Sequence, residues 1–356
     1  MVVTQAHRRA RTAVFTGPRQ VELREEPLRE PGPEDVIVRT LFSGISAGTE
    51  MNVFRGSAPQ WRTRRDPTTK LFFETTSPDW SYPLAYGYAA VGKVERLGDA
   101  AASLGAPPVG ALVFTYSPHA SFNVVRASDV VVLPALDDPR VGVLSANLNT
   151  ALNGVLDARP SFGDVVVVSG LGVIGLCLVQ LLRRTGVSVV VGVDAIEHRR
   201  QLAQRFGAKV VLSPHDGVAE KVRALTGNRG ADIVIEVSGA TPALNEAIRT
   251  VGYNGRVVVM SWYGGTFESL SLSGEFHHNR PRIISSQVGG INPDLGPLWS
   301  VDRRKALANE LLAQLDLGPL LTHTVPIEDV ASAYALVDNG AADLVQCVIS
   351  YDGAGQ

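Results

Sequence analysis

Cysteine is almost missing. Cys177 and Cys347 are the two in 356 residues, each within an apolar run and far apart in sequence. Neither stands in a Cys-x-x-Cys or Cys/His spacing, so buried free thiols are expected. A disulfide framework is excluded, and so is any structural zinc lobe of four cysteines. Long apolar runs are missing too: nothing approaches the roughly 20 residues of a membrane span. Charge of one sign is not in excess, with 33 Lys and Arg against 35 Asp and Glu and a net charge of −2. Nothing electrostatic therefore points to nucleic acid or an anionic membrane as partner. The stretch Met1–Arg11 carries His7, Arg8, Arg9 and Arg11 with no apolar segment behind them. A short disordered tail, no secretory signal and a cytoplasmic location are expected. Internal repeats and low-complexity tracts are absent from the sequence.

What is present is a balance of 45% apolar and 19% charged residues, in a chain long enough for two cores. From Thr12 to about Leu133 short strands alternate with turns. Val21–Glu26, Asp35–Ser43, Tyr88–Arg96, Ala111–Thr115 and Ser121–Arg126 are the strand candidates. Gly56 to Tyr82 breaks this rhythm with prolines, mixed charge, Trp61, Trp80 and the Phe72-Phe73 pair. A connection of that length is functional or disordered, and its aromatic content argues for an ordered flap.

Beyond Leu133 the pattern changes. Asp164–Val168 is an all-valine buried strand, and Leu171 to Thr185 is a helix ending at Gly186. Val187–Val193 is a second strand, followed by a helix over Arg199–Phe206. Lys209–Leu212, Asp232–Val237, Arg256–Met260 and Arg282–Ser286 supply four more, with helices near Val218–Thr226 and Pro242–Val251. Continuous β-branched runs alternating with helices predict a parallel sheet covered on both faces, and six strands match a complete dinucleotide-binding unit. From about Ala306 a helix, a loop through Pro326, a helix around Asp329–Val337 and a last strand are expected.

The sharpest motif is Gly170-Leu171-Gly172-Val173-Ile174-Gly175, which follows the valine strand and opens a helix. The first glycine permits a tight turn, the second lets a pyrophosphate approach the backbone, and the third lets helix and strand pack. The helix N-terminus offers amide donors to an anion. Asp194 ends the second strand. A carboxylate there accepts hydrogen bonds from ribose hydroxyls and repels a 2′-phosphate, which favours NAD over NADP; Arg199 and Arg200 pull the other way.

A strand-rich first part, a central dinucleotide unit and a C-terminal return resemble the medium-chain dehydrogenase/reductase superfamily over nearly the whole chain. The segments Gly44-Ile45-Ser46-Ala47-Gly48-Thr49-Glu50 and Tyr82-Pro83-Leu84-Ala85-Tyr86-Gly87-Tyr88 resemble its subgroup containing bacteriochlorophyllide hydroxyethyl dehydrogenase. The resemblance implies an α/β architecture. A GroES-like β-barrel catalytic domain over residues 1–145 would be completed by 306–356, with a Rossmann doubly wound parallel sheet over 146–305. It also implies a soluble homodimer or homotetramer acting on a small molecule. Positions matching the family's zinc ligands hold Ser46, Tyr88 and Ala146, so the expectation is an NAD enzyme with no zinc.

Without zinc a side chain has to manage the hydroxyl proton. The resemblance puts Tyr88 in the cleft beneath the nicotinamide and matches Thr49 and Glu50 to the family's Thr-Asp pair. His119 falls where the family lines its substrate pocket, and a histidine titrates near neutrality. Ser238, Ser261 and Trp262 join the cofactor candidates by family position. The preferred expectation is an alcohol dehydrogenase or ketone reductase in which His119, Tyr88 or Glu50 manages the proton, with His119 foremost and Tyr88 orienting the substrate oxygen. A zinc-free enoyl or quinone reductase is the alternative, which Asp194 opposes, and a non-catalytic nucleotide-binding protein is a third.

Overall fold

The computed structural model describes residues 8–263 and 270–352. Two compact units emerge: residues up to Leu144 together with those from Leu321 on, and residues 145–320.

The first unit is built on antiparallel strands. β1 (Arg9–Gly17), β2 (Gln20–Pro27) and β3 (Asp35–Ile45) lead into a short helix α1 (Thr49–Phe54). Two strands of a hairpin follow, β4 (Thr63–Arg65) and β5 (Phe72–Glu74). Next come β6 (Leu84–Ala85), β7 (Ala90–Leu97), β8 (Leu112–Thr115), β9 (Phe122–Arg126) and β10 (Val130–Val132). β1 begins at Arg9, inside the stretch expected to be a tail. Exposed Arg9 and half-buried Arg11 flank buried Ala10 and hide a strand that pairs with β2 from Arg9↔Pro27 onward. The segment 56–82 holds the β4–β5 hairpin. Trp61 stacks on Tyr82 with ring centroids 4.1 Å apart, and Trp80 meets Trp61 and Tyr86 edge-on. Aromatic packing thus orders the flap.

The second unit opens with α2 (Ser145–Ala158), a helix the sequence pattern did not announce. Then β11 (Val165–Ser169), α3 (Val173–Leu182), β12 (Val189–Val193), α4 (Glu197–Arg205) and β13 (Val210–Leu212) form one half of a sheet. α5 (Val218–Leu225), β14 (Ala231–Glu236), α6 (Thr241–Thr250), β15 (Val251–Val259), α7 (Glu275–Asn279) and β16 (Arg282–Ser285) form the other. The six strands are parallel in the order β13-β12-β11-β14-β15-β16, the doubly wound Rossmann arrangement. α8 (Val301–Leu311) closes this unit. The chain returns at Leu321 rather than Ala306 because α8 stays with α2, tied to it by buried hydrogen bonds from Arg304 to Asn149 and Asn153.

The return supplies β17 (His323–Pro326), α9 (Val330–Asp338) and β18 (Cys347–Ser350). β18 pairs antiparallel with β3, from Cys347↔Ile45 to Ser350↔Phe42, and so completes the barrel-like sheet. Among the described residues no helix is long and apolar enough to cross a membrane.

Candidate functional site

In the parallel-sheet unit, β11 ends in the glycine turn. Gly170 sits at φ +101, and a Cβ there would lie 2.6 Å from the Ser238 backbone. A Cβ on Gly175 would lie 2.0 Å from the Gly170 carbonyl oxygen. These two glycines serve the fold itself. Gly172 differs. Its φ of −68 suits any residue, and among the described residues no atom beyond its own chain neighbours lies within 4 Å of where its Cβ would stand. No packing or backbone demand explains the missing side chain, which leaves open space before the first turn of α3, at Val173 and Ile174.

Asp194 leaves β12 and reaches back to this turn. Its Oδ2 accepts the Leu171 N–H at 2.7 Å and its Oδ1 accepts the Ile196 N–H at 2.8 Å. A carboxylate has about four acceptor positions, so two remain for a ligand. Arg199 stands 4.0 Å from Oδ2, and Arg200 donates to the carbonyl oxygens of Asp194 and Ala195. Across the turn, Ser238 Oγ donates to Glu236 Oε1 at 2.6 Å, and Ser261 Oγ accepts the Gly239 N–H at 2.9 Å. Trp262 follows, half-buried. Sequence reasoning missed Glu236, which is fully buried and also bonded by the Tyr263 hydroxyl. Its signal was a carboxylate ending the apolar run Ile233-Val234-Ile235.

In the barrel unit the five predicted residues Ser46, Thr49, Glu50, Tyr88 and His119 do come together, in two tiers. The accessible tier is a trio of hydroxyls. Ser46 and Thr49, flanking the turn between β3 and α1, both hydrogen-bond to the Tyr88 phenol just before β7. Burial pushes the Tyr88 pKa well above the usual tyrosine value, the hydrogen bonds from Ser46 and Thr49 oppose the rise, and the charge of Glu50 adds to it. Burial and Glu50 likewise raise its neighbour Tyr86, to about 12.

The lower tier is sealed. Glu50 and His119 are each 0% exposed. His119 Nε2 meets Glu50 Oε1 at 2.8 Å, and its Nδ1 meets Ser43 Oγ at 2.6 Å. Ser43 continues to the Tyr351 hydroxyl at 2.8 Å. Glu50 also accepts a hydrogen bond from Tyr334 on α9, and its Oε2 accepts the Ser46 N–H at 3.0 Å. His119, expected to face a substrate, thus stands within the core with both ring nitrogens engaged. Ser43, Tyr334 and Tyr351 were not foreseen. They reach the site through β18 pairing with β3 and through α9, contacts hundreds of residues apart along the chain. Among the described residues no group of three or more His, Cys, Asp or Glu is placed to hold a metal ion.

Residues 173–300 match the zinc-binding dehydrogenase family. A D-guloside 3-dehydrogenase of Escherichia coli K12 is 33% identical over 307 residues, 84% of this chain and 87% of that relative. The chain belongs to the medium-chain zinc-type alcohol dehydrogenase superfamily. It is an NAD(P)-dependent oxidoreductase of that family, with a GroES-like domain and a Rossmann sheet. Solved structures share the fold. An Escherichia coli oxidoreductase of unknown specificity aligns at a TM-score of 0.78 and 17% identity, covering 97% of this chain and 100% of that one. A short-chain alcohol dehydrogenase of E. coli CFT073, solved with NADH, aligns at 0.75 and 19%, covering 96% and 99%.

Proposed function

We propose that this chain is a zinc-independent, NAD-dependent dehydrogenase or ketone reductase acting on a secondary alcohol or carbonyl of a medium-sized metabolite. The observation that carries the cofactor reading is the open space at Gly172, beside a helix N-terminus and an aspartate with acceptor positions to spare. The residues present fit a dinucleotide: the turn and α3 for the pyrophosphate, Asp194 for the adenosine ribose. When bound, NAD supplies the hydride acceptor or donor. Because Asp194 repels a 2′-phosphate, NADH is expected to bind more tightly than NADPH, and Asp194→Ala to narrow that gap. Calorimetric titration with both cofactors checks this, and tighter NADPH binding by the wild type would overturn the preference.

The donor set does not fit zinc. Ser46, Tyr88 and Ala146 offer a neutral hydroxyl, a phenol held protonated and a methyl group, not the thiolate and imidazole ligands of a zinc centre. Elemental analysis of untagged protein should find less than one zinc per chain, with turnover indifferent to chelators. Stoichiometric zinc with chelator-sensitive turnover would refute the reading.

The chemistry then falls to the accessible hydroxyls. Tyr88 Oη–H donates to the substrate carbonyl oxygen as hydride arrives, and Ser46 and Thr49 donate to Tyr88 Oη and stabilise the phenolate left behind. In the reverse direction that oxygen takes the hydroxyl proton only after losing its own, and because burial raises its pKa, oxidation should quicken as pH rises. The relative that oxidises a D-guloside supports a secondary alcohol as the reacting group. The deciding experiment is an NAD⁺-reduction screen over sugars, cyclitols and secondary alcohols, with and without chelator. No turnover with any of them, despite NADH binding, would overturn the secondary-alcohol reading.

A further inference from the structure

Arg304, on α8, is wholly buried, and its guanidinium is turned to the backbone beyond β16. Its Nη1 donates to the Gly290 carbonyl oxygen at 2.6 Å and its Nη2 donates to that of Val288. The same side chain is held from α2: Nε donates to Asn149 Oδ1 at 3.0 Å, and Nη1 to Asn153 Oδ1. Asn153 passes the polarity on, because its Nδ2 donates to Asp157 Oδ2 at 2.8 Å and to Ser286 Oγ at 3.0 Å. The Asn153 amide thus bridges the Arg304 guanidinium and the Asp157 carboxyl. Burying such a set costs several kcal/mol, and apolar side chains would join α2 to α8 more cheaply. The arginine is explained by what its fork holds, which is the shape of residues 288–290.

That segment has a defined place. The strands are parallel, so the glycine turn after β11, Ser238 after β14, Ser261 after β15 and Gln287–Gly290 after β16 all leave the same edge of the sheet, where ligands of doubly wound folds bind. The half β11–β13 carries the glycine turn and Asp194, and so takes the adenosine side. The half β14–β16 takes the other nucleotide. With the carbonyls of Val288 and Gly290 turned to Arg304, planar trans peptides send the N–H groups of Gly289 and Ile291 to the opposite side. Gly289 and Gly290 add no side chain there, and the Gln287 side chain braces the bend by accepting the Gly289 N–H at 2.6 Å.

We propose that Arg304 is a positioning residue for the nicotinamide end of the cofactor, setting the backbone of residues 288–290 that borders it. The proposal rests on the NAD reading above. ADP-ribose separates the two, since it keeps the adenosine half and pyrophosphate but lacks nicotinamide. Calorimetric titration of wild type and Arg304→Lys with NADH and with ADP-ribose, alongside KM for NAD⁺, is the test. A lysine keeps the charge and loses the fork. NADH affinity is expected to fall about tenfold, the scale of a lost charge-assisted hydrogen bond, while ADP-ribose affinity stays within about twofold. KM for NAD⁺ should rise with the NADH loss. Equal losses for both ligands would show a merely structural role and overturn the proposal, as would unchanged binding of both. Wild type that binds neither ligand would sink the cofactor reading and this proposal with it. If Arg304→Lys does not fold, Asn149→Ala removes only the Nε partner, and the same unequal loss is expected.

Discussion

Gly172→Val removes measurable NADH binding while the melting temperature stays where it was. The backbone at Gly172 lies in a region open to every residue, and among the described residues no atom beyond its chain neighbours stands within 4 Å of the new Cβ. The folded chain therefore loses nothing. The valine methyl groups fill the space that the glycine turn and the first turn of α3 leave for a pyrophosphate, and a loss of about 100-fold or more in affinity is expected from blocking that approach. Gly175→Ala is the control. Its Cβ would sit 2.0 Å from the Gly170 carbonyl oxygen, so strand and helix have to part and stability falls first, by more than about 3 kcal/mol. Scanning calorimetry and NADH titration on both variants separate the two uses of glycine. Normal NADH affinity in Gly172→Val would mean that the turn does not cradle the cofactor.

Tyr88→Phe and His119→Ala should fail in opposite ways. The first removes one hydroxyl from the accessible trio and leaves the ring packed against Tyr86. It is expected to lower kcat about 10²-fold, the usual scale for a general acid/base, with little change in stability. The second takes a buried partner from Glu50, whose carboxylate then keeps only Tyr334 and the Ser46 amide. Breaking a buried ionisable pair costs about 3–5 kcal/mol, so His119→Ala should unfold at a much lower temperature. Whatever fraction stays folded should turn over at a rate nearer wild type than Tyr88→Phe. Chemical denaturation and steady-state kinetics on the two variants decide it. A stable His119→Ala protein with kcat down 10²-fold, beside an active Tyr88→Phe, would restore the histidine to the acid/base role that the sequence first suggested.

The burial of His119 inverts the weighting that the sequence supports. Nothing in Tyr116-Ser117-Pro118-His119 tells a surface loop from a core segment, because prolines and polar residues signal turns whatever lies above them. The ring is buried by Glu50, 69 positions away, and by Ser43, 76 positions away, partners that β-strand pairing brings in. Helix α2 escaped notice for a related reason. Asn149, Asn153 and Asp157 lie on its buried face and interrupt the apolar periodicity by which a helix is recognised. Asn149 and Asn153 meet Arg304 there, and Asp157 meets Asn153.

What the sequence determined by itself is the local and the repetitive. Val165–Ser169, Val189–Val193 and Ala231–Glu236 read as buried parallel strands because both faces of such a strand are covered, so their middle positions are continuously apolar. Gly170, Gly172 and Gly175 are neighbours along the chain, and their spacing alone carries the turn they make. Tertiary structure decided everything that joins distant segments. It ranked Tyr88 above His119 by exposure and assembled Ser43, Glu50, His119, Tyr334 and Tyr351 into one sealed network. It also placed Arg304 beneath the end of β16. Such contacts cost loop-closure entropy and leave no periodicity in the sequence, so only the folded chain displays them.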